Sequence, residues 1–119
     1  MNGIKFLLDT NIIIGLYEHN PNSLELLQAK QVSIKECAYS AITRMELLSY
    51  PALMPIDEKA IESLLTRMTY LGITPEIENA TIEFRRFHKT KLPDSIIAAT
   101  AKQTQLELLT LDKKLAAKL

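Results

Sequence analysis

The sequence has no tryptophan, one cysteine and only three glycines among its 119 residues. With Cys37 alone, an intrachain disulfide is impossible and nothing resembles a zinc-ligand cluster. Such cysteine usage suits a reducing cytoplasm. Three scattered glycines form no phosphate-cradling loop, so nucleotide-driven chemistry is not expected. The apolar runs are too short to cross a membrane. Lys5, Asp9 and Asn11 interrupt the first of them, so a signal peptide is not expected either. Fourteen basic residues balance fourteen acidic ones, which argues against a protein that coats nucleic acid nonspecifically. Any RNA or DNA is then held locally.

What is present is enough apolar material, 47% of residues, for one packed core, and a single domain over residues 1–119 is expected. Strand-like runs alternate with helical patterns, which points to a largely parallel sheet covered by helices. Strands are expected at Ile4–Leu8, Val32–Ala38, Ile73–Thr74 and Glu107–Thr110. Helices are expected at Asn11–Glu18, Ser23–Ala29, Ala41–Leu48 behind a Ser40 cap, Glu76–His88 and Asp94–Thr104, with a short one at the end. A further helix, capped by Asp57, carries Ala60, Ile61, Leu64, Leu65, Met68 and Leu71 at helical spacing and stops at Gly72. Ile77, Ala80, Phe84 and Phe87 are expected on the buried stripe of the helix at 76–88.

Four acidic residues have distinctive settings. Asp9 and Asp112 each end an apolar strand and open a helix, Asp94 lies in the first turn of its helix, and Glu46 follows apolar Ile42 by one turn. Each has an ordinary role available: Asp9 and Asp112 as caps, Asp94 as a complement to a helix dipole, Glu46 as a solvated side chain. Together they read differently, because ligands of open α/β sheets bind beyond the carboxyl ends of the strands. Converging carboxylates raise one another's pKa unless a cation neutralises them. Magnesium or manganese, which takes a few carboxylates plus waters, is the expected partner. Thr10, Asn11, Ser95 and Thr110 are short polar neighbours able to orient such ligands or to cap helices. Arg85, Arg86, Lys89 and Lys91 cluster just before Asp94 and form either a phosphate-attracting rim or a solvated helix face.

At these positions Leu8-Asp9-Thr10-Asn11, Ser40-Ala41-Ile42-Thr43-Arg44-Met45-Glu46-Leu47, Pro93-Asp94-Ser95-Ile96-Ile97-Ala98-Ala99 and Leu109-Thr110-Leu111-Asp112 resemble the ordered motifs of PIN-domain ribonucleases. The likeness is closest to toxins of the virulence-associated protein C (VapC) type and spans nearly the whole chain. It implies a three-layer α/β/α fold with a mainly parallel sheet of about four strands. It also implies a magnesium- or manganese-dependent endoribonuclease that is neutralised by a cognate antitoxin and pairs as a homodimer. Metal ligation carries over to Asp9, Asp94 and Asp112, with Glu46 completing the site, and polar support to Thr10, Asn11 and Thr110. By the same likeness, water attacks the phosphodiester in line and leaves 5′-phosphate and 3′-hydroxyl ends.

Two departures from that pattern stand out. Leu115 and Ala116 occupy places where many relatives carry a further acidic residue, which puts a second metal in doubt. Relatives also commonly continue into one more strand, so either the sheet lacks that edge or the chain is shortened. Two other classes compete: a receiver-like magnesium-binding signalling domain, which would need an acidic pair after the first strand and a phosphoacceptor such as Asp57 after a central one, and a PIN-like module that binds without catalysis. His19 and His88 lack a nucleophile motif and read as surface or helix-end residues, and Cys37 reads as core. The proline-fenced segment 50–56 is either a connection buried in the core or one wall of a groove for an antitoxin helix, with Leu53 and Met54 as anchors.

Overall fold

The computed structural model describes residues 3–119. Four short strands, β1 (Phe6–Leu8), β2 (Cys37–Ser40), β3 (Thr69–Leu71) and β4 (Glu107–Leu109), form one sheet in the order β3-β2-β1-β4. Every pairing is parallel. Seven α-helices accompany them: α1 (Thr10–Tyr17), α2 (Pro21–Ala29), α3 (Ala41–Leu48), α4 (Pro55–Thr66), α5 (Pro75–His88), α6 (Leu92–Thr104) and α7 (Lys113–Ala116). No helix among the described residues is long and apolar enough to cross a membrane.

Side-chain alternation along the strands divides the core into two layers. Leu8, Cys37, Tyr39 and Leu109 face one way and pack with Ile12, Ile13, Leu47, Ile61 and Leu65 from α1, α3 and α4. Leu7 and Ala38 face the other way, onto Ile97 and Ala101 of α6. Beyond these, Phe84 of α5 packs with Ala98 and Leu115. The expected three-layer α/β/α fold is therefore what forms. A sheet covered on both faces also explains why the strands read as nearly continuous apolar runs.

Three expected elements are displaced. Val32–Ala38 does not form one strand: Ile34–Glu36 turns into a 3₁₀ segment, with the Ser33 N–H donating to Glu36 Oε1 at 3.3 Å, and the strand begins at Cys37. The helix expected between an Asp57 cap and a Gly72 stop starts three residues earlier, with Met54 at its cap and Pro55 in its first turn, and ends at Thr66. Asp57 is thus inside the first turn rather than the cap, and Met68 reaches the core from the loop after the helix. The following strand is Thr69–Leu71 rather than 73–74, because Ser40 of β2 pairs with Leu71. On α5 the buried stripe is Ile77, Thr81 and Phe84, and Phe87 is 83% exposed, one position off that stripe.

With so little glycine, the chain ends helices on other residues. His19, Gln31, Lys89 and Gln105 all take left-handed φ values of 53–59° at helix ends, where glycine is the usual choice.

Candidate active site

β1 is the strand at which the chain order reverses, since β2 and β3 extend the sheet on one side and β4 on the other. The crevice beyond its carboxyl end is where an open α/β sheet accepts ligands. Leu8 pairs with Leu109, so the next residues, Asp9 and Thr110, emerge side by side. The Asp9 N–H donates to the Leu109 carbonyl at 3.0 Å and fixes that junction.

Asp9 is 5% exposed, and its carboxylate is held from three directions. Thr10 N–H donates to Oδ1 at 2.7 Å, capping α1, while the Thr110 hydroxyl at 2.7 Å and Asn11 Nδ2 at 3.4 Å donate to Oδ2. Asn11 also tethers the β4–α7 connection, accepting from the Leu111 N–H at 3.1 Å. Burial raises the Asp9 pKa from its ordinary value. The hydrogen bonds from Thr110 and Thr10 oppose this shift, and the negative charges of Asp94 and Glu46 add to it.

Glu46 comes from α3, which β2 launches beside β1 through the Ser40 cap. Its Oε1 lies 2.8 Å from the Thr10 hydroxyl, and that hydroxyl lies 3.0 Å from the hydroxyl of Thr43. A hydroxyl has one proton to give, so Thr10 donates to Glu46 and accepts from Thr43. Thr43 is completely buried and was not singled out in the sequence. Its signal was a polar residue on the face of α3 that also presents Ala41 and Leu47 to the core.

Asp94 stands half-buried in the first turn of α6, near enough to Asp9 to repel its charge. Asp112 is also half-buried, and its Oδ1 caps α7 by accepting from the N–H groups of Lys114 and Leu115. That leaves Oδ2 with no partner among the described residues, so capping and ligation are compatible. Ser95 is buried, but its hydroxyl donates to the Lys91 carbonyl and contacts the Thr90 hydroxyl, and none of its bonds reaches Asp9. None of the four acidic residues makes an ion pair among the described residues. No three His, Cys, Asp or Glu side chains there stand close enough to cage a metal by themselves. A buried carboxylate that feels the charge of two others, with no ion pair of its own among the described residues, fits a hydrated hard cation that uses few protein ligands and keeps several waters.

Arg85, Arg86, Lys89 and Lys91 are all exposed at the α5–α6 turn. Arg85 Nε donates to the Thr90 carbonyl at 3.1 Å, Lys89 is the left-handed cap of α5, and the basic residues of the last turn also suit the helix dipole. The segment 50–56 divides the two expected anchors: Leu53 packs against the core, whereas Met54 is 59% exposed between exposed Tyr50 and Ile56. Asp57 lies within α4 and bonds to the Tyr17 hydroxyl, so it is not placed as a phosphoacceptor following a strand. His19 is exposed at the end of α1, and Cys37 is buried, with its thiol pKa pushed up to about 11 by burial.

A parallel sheet covered by helices, with Asp9 and Asp112 just beyond the carboxyl ends of β1 and β4, defines an α/β protein. The family model of the PIN domain matches residues 6–118, and the chain belongs to the PIN-domain family. Among solved structures, a chain of a toxin–antitoxin complex from Klebsiella pneumoniae is 32% identical, with 92% of this chain and 88% of that one covered and a TM-score of 0.79. FitAcB from Neisseria gonorrhoeae, 24% identical over 95% and 91% of the two chains with a TM-score of 0.77, shares the fold. So does VapBC-1 from nontypeable Haemophilus influenzae, 23% identical over 97% and 92% with a TM-score of 0.78. No curated protein matches the chain significantly. PIN-domain toxins are nucleases, so hydrolysis of phosphodiester bonds is the class of chemistry that membership brings.

Proposed function

We propose that this chain is the endoribonuclease toxin of a toxin–antitoxin pair, cleaving RNA at Asp9, Glu46, Asp94 and Asp112 with magnesium or manganese. The observation that carries the reading is Asp9, buried just beyond the carboxyl end of β1, within reach of the negative charges of Asp94 and Glu46 and without an ion pair among the described residues. When bound, the cation would acidify water and offset charge on the scissile phosphate.

The chain's own residues supply position. Thr110, Thr10 and Asn11 hold the Asp9 carboxylate in one orientation. Thr43 and Thr10 hold Glu46 at the rim, where its exposed carboxylate can accept a proton from attacking water. Asp94 approaches from the other layer and Asp112 from the end of β4, so the charge comes from four separate elements. Arg85, Arg86, Lys89 and Lys91 lie outside the centre, where they attract phosphates without neutralising the carboxylates.

An antitoxin, with a second copy of the chain, is the proposed protein partner. The toxin–antitoxin complex at 32% identity supports the antitoxin, and exposed Tyr50, Met54 and Ile56 offer it apolar side chains. The function is tested by incubating total RNA with purified protein in magnesium or manganese and sequencing the new 5′ ends. Cleavage is expected for the wild type and its loss for Asp9→Asn and Asp94→Asn; full activity in both variants would overturn the assignment.

A further inference from the structure

Phe87 stands 83% exposed near the end of α5, beside an open groove of about 810 Å³ between α5 and α6. A lone exposed ring needs no explanation. This one belongs to an ordered cluster. His88 meets Phe87 edge-on, with ring centres 4.8 Å apart at 71°, and packs against buried Phe84 at 4.3 Å. Lys102 reaches back from α6 to place its Nζ 5.4 Å from the centre of the Phe84 ring. Arg86 and Lys102 line the groove, and neither makes an ion pair among the described residues; Glu83 is the one carboxylate in the lining.

We propose that Phe87, His88, Arg86 and Lys102 form a stacking subsite for an unpaired nucleotide of the RNA substrate, which rests on the ribonuclease reading above. A base needs a flat ring with an open face, and Phe87 provides it. The flanking phosphates need cations that are not already paired, and Arg86 and Lys102 provide those. A protein partner would instead need continuous apolar area, whereas this ring is surrounded by charged and polar side chains. Along α6, Lys102 lies eight residues from Asp94, about 12 Å of helix rise. One strand can therefore occupy both places, since single-strand sites span about 4–16 nucleotides.

The test measures fluorescence anisotropy of labelled oligouridylate and oligoadenylate in magnesium, in an Asp9→Asn background that leaves the probes intact. Adding Phe87→Ala weakens binding about tenfold, as expected for one lost stack, with the salt slope unchanged. Phe87→Trp retains affinity, and Arg86→Gln with Lys102→Gln flattens the slope. The ring is exposed, so these variants keep the fold, which circular dichroism checks. Unchanged affinity in Phe87→Ala, or no binding by the Asp9→Asn parent, overturns the subsite. So does conversion of a dimer to a monomer by Phe87→Ala with RNA affinity intact, which assigns the ring to a contact between copies. Manganese-dependent cleavage by the wild type is read separately, and its absence overturns the ribonuclease reading itself.

Discussion

Burial of Asp9 beside Asp94 and Glu46 raises its affinity for a proton in the folded state. The sign of the pH effect follows: a carboxyl with a raised folded pKa stabilises the fold at low pH, and that stabilisation is lost as pH rises through the folded pKa. At neutral pH the metal-free protein therefore carries an electrostatic cost that Asp9→Asn removes, while the amide oxygen still accepts from the Thr10 N–H. We expect metal-free Asp9→Asn to melt higher than the wild type at neutral pH, with the gap closing in acid. Scanning calorimetry across pH checks this, and a variant that melts lower at neutral pH contradicts it. Thr43 makes a separate demand on the same site. Thr43→Val keeps the shape but removes the hydroxyl that Thr10 accepts from. Cleavage should fall about tenfold in kcat with little change in KM and return with Thr43→Ser, as for a residue that positions Glu46. An equal loss in Thr43→Ser would assign Thr43 to packing alone.

At the level of elements, the α1–α2 hairpin depends on one glycine. A methyl group at Gly15 would sit 1.8 Å from the Ser23 hydroxyl oxygen and 2.5 Å from its Cβ. Ser23 is fully buried, and its hydroxyl finds no hydrogen-bond partner among the described residues. Gly15→Ala should destabilise the protein by about 1–3 kcal/mol through overpacking, read by urea denaturation, and Ser23→Gly should recover part of the loss. Full stability in Gly15→Ala would show that the two helices separate freely. The same scale explains what the sequence could and could not reveal. Ser40, Asp9 and Asp112 announce their helices because a cap needs only its own turn, and the boundaries there are right within a residue or two. Val32–Ala38 misled because its alternation runs straight through Ser33 and Glu36, whose local bond folds the chain into a 3₁₀ turn first. Met68 fits a helical period, yet its burial is set by packing beneath the sheet after α4 has ended. Phe87 is apolar like the stripe, but buried Thr81 occupies that face and satisfies its hydroxyl on the Ile77 carbonyl.

For the whole molecule, Asp9, Asp94 and Asp112 were readable because each follows a strand or lies in the first turn of a helix, and a parallel sheet sets such positions toward one edge; Glu46, inside α3, carries no such local signal. The Thr43–Thr10–Glu46 chain was not readable, since it joins residues of two helices whose side chains meet only after α1 and α3 pack. The proposed partner surface also needed the fold, because Leu53 and Met54 are adjacent in sequence but opposite in exposure. Replacing Leu53 with glutamate would break the core, so Met54→Glu alone is the clean variant. We expect it to stay folded and to bind the antitoxin at least about tenfold more weakly by calorimetry, as a charged side chain in an apolar contact does. Unchanged affinity would move the antitoxin surface elsewhere.

The most direct measurement is a calorimetric titration of manganese into the metal-free protein, wild type and Asp9→Asn, with no RNA present. Asp9 feels the charges of Asp94 and Glu46, whereas Leu115 and Ala116 add no further carboxylate after Asp112. We expect the wild type to show a single class of saturable site and Asp9→Asn to lose it, because the amide has the shape of the ligand without its charge. The same isotherm in both proteins would mean that the acidic centre does not hold the cation.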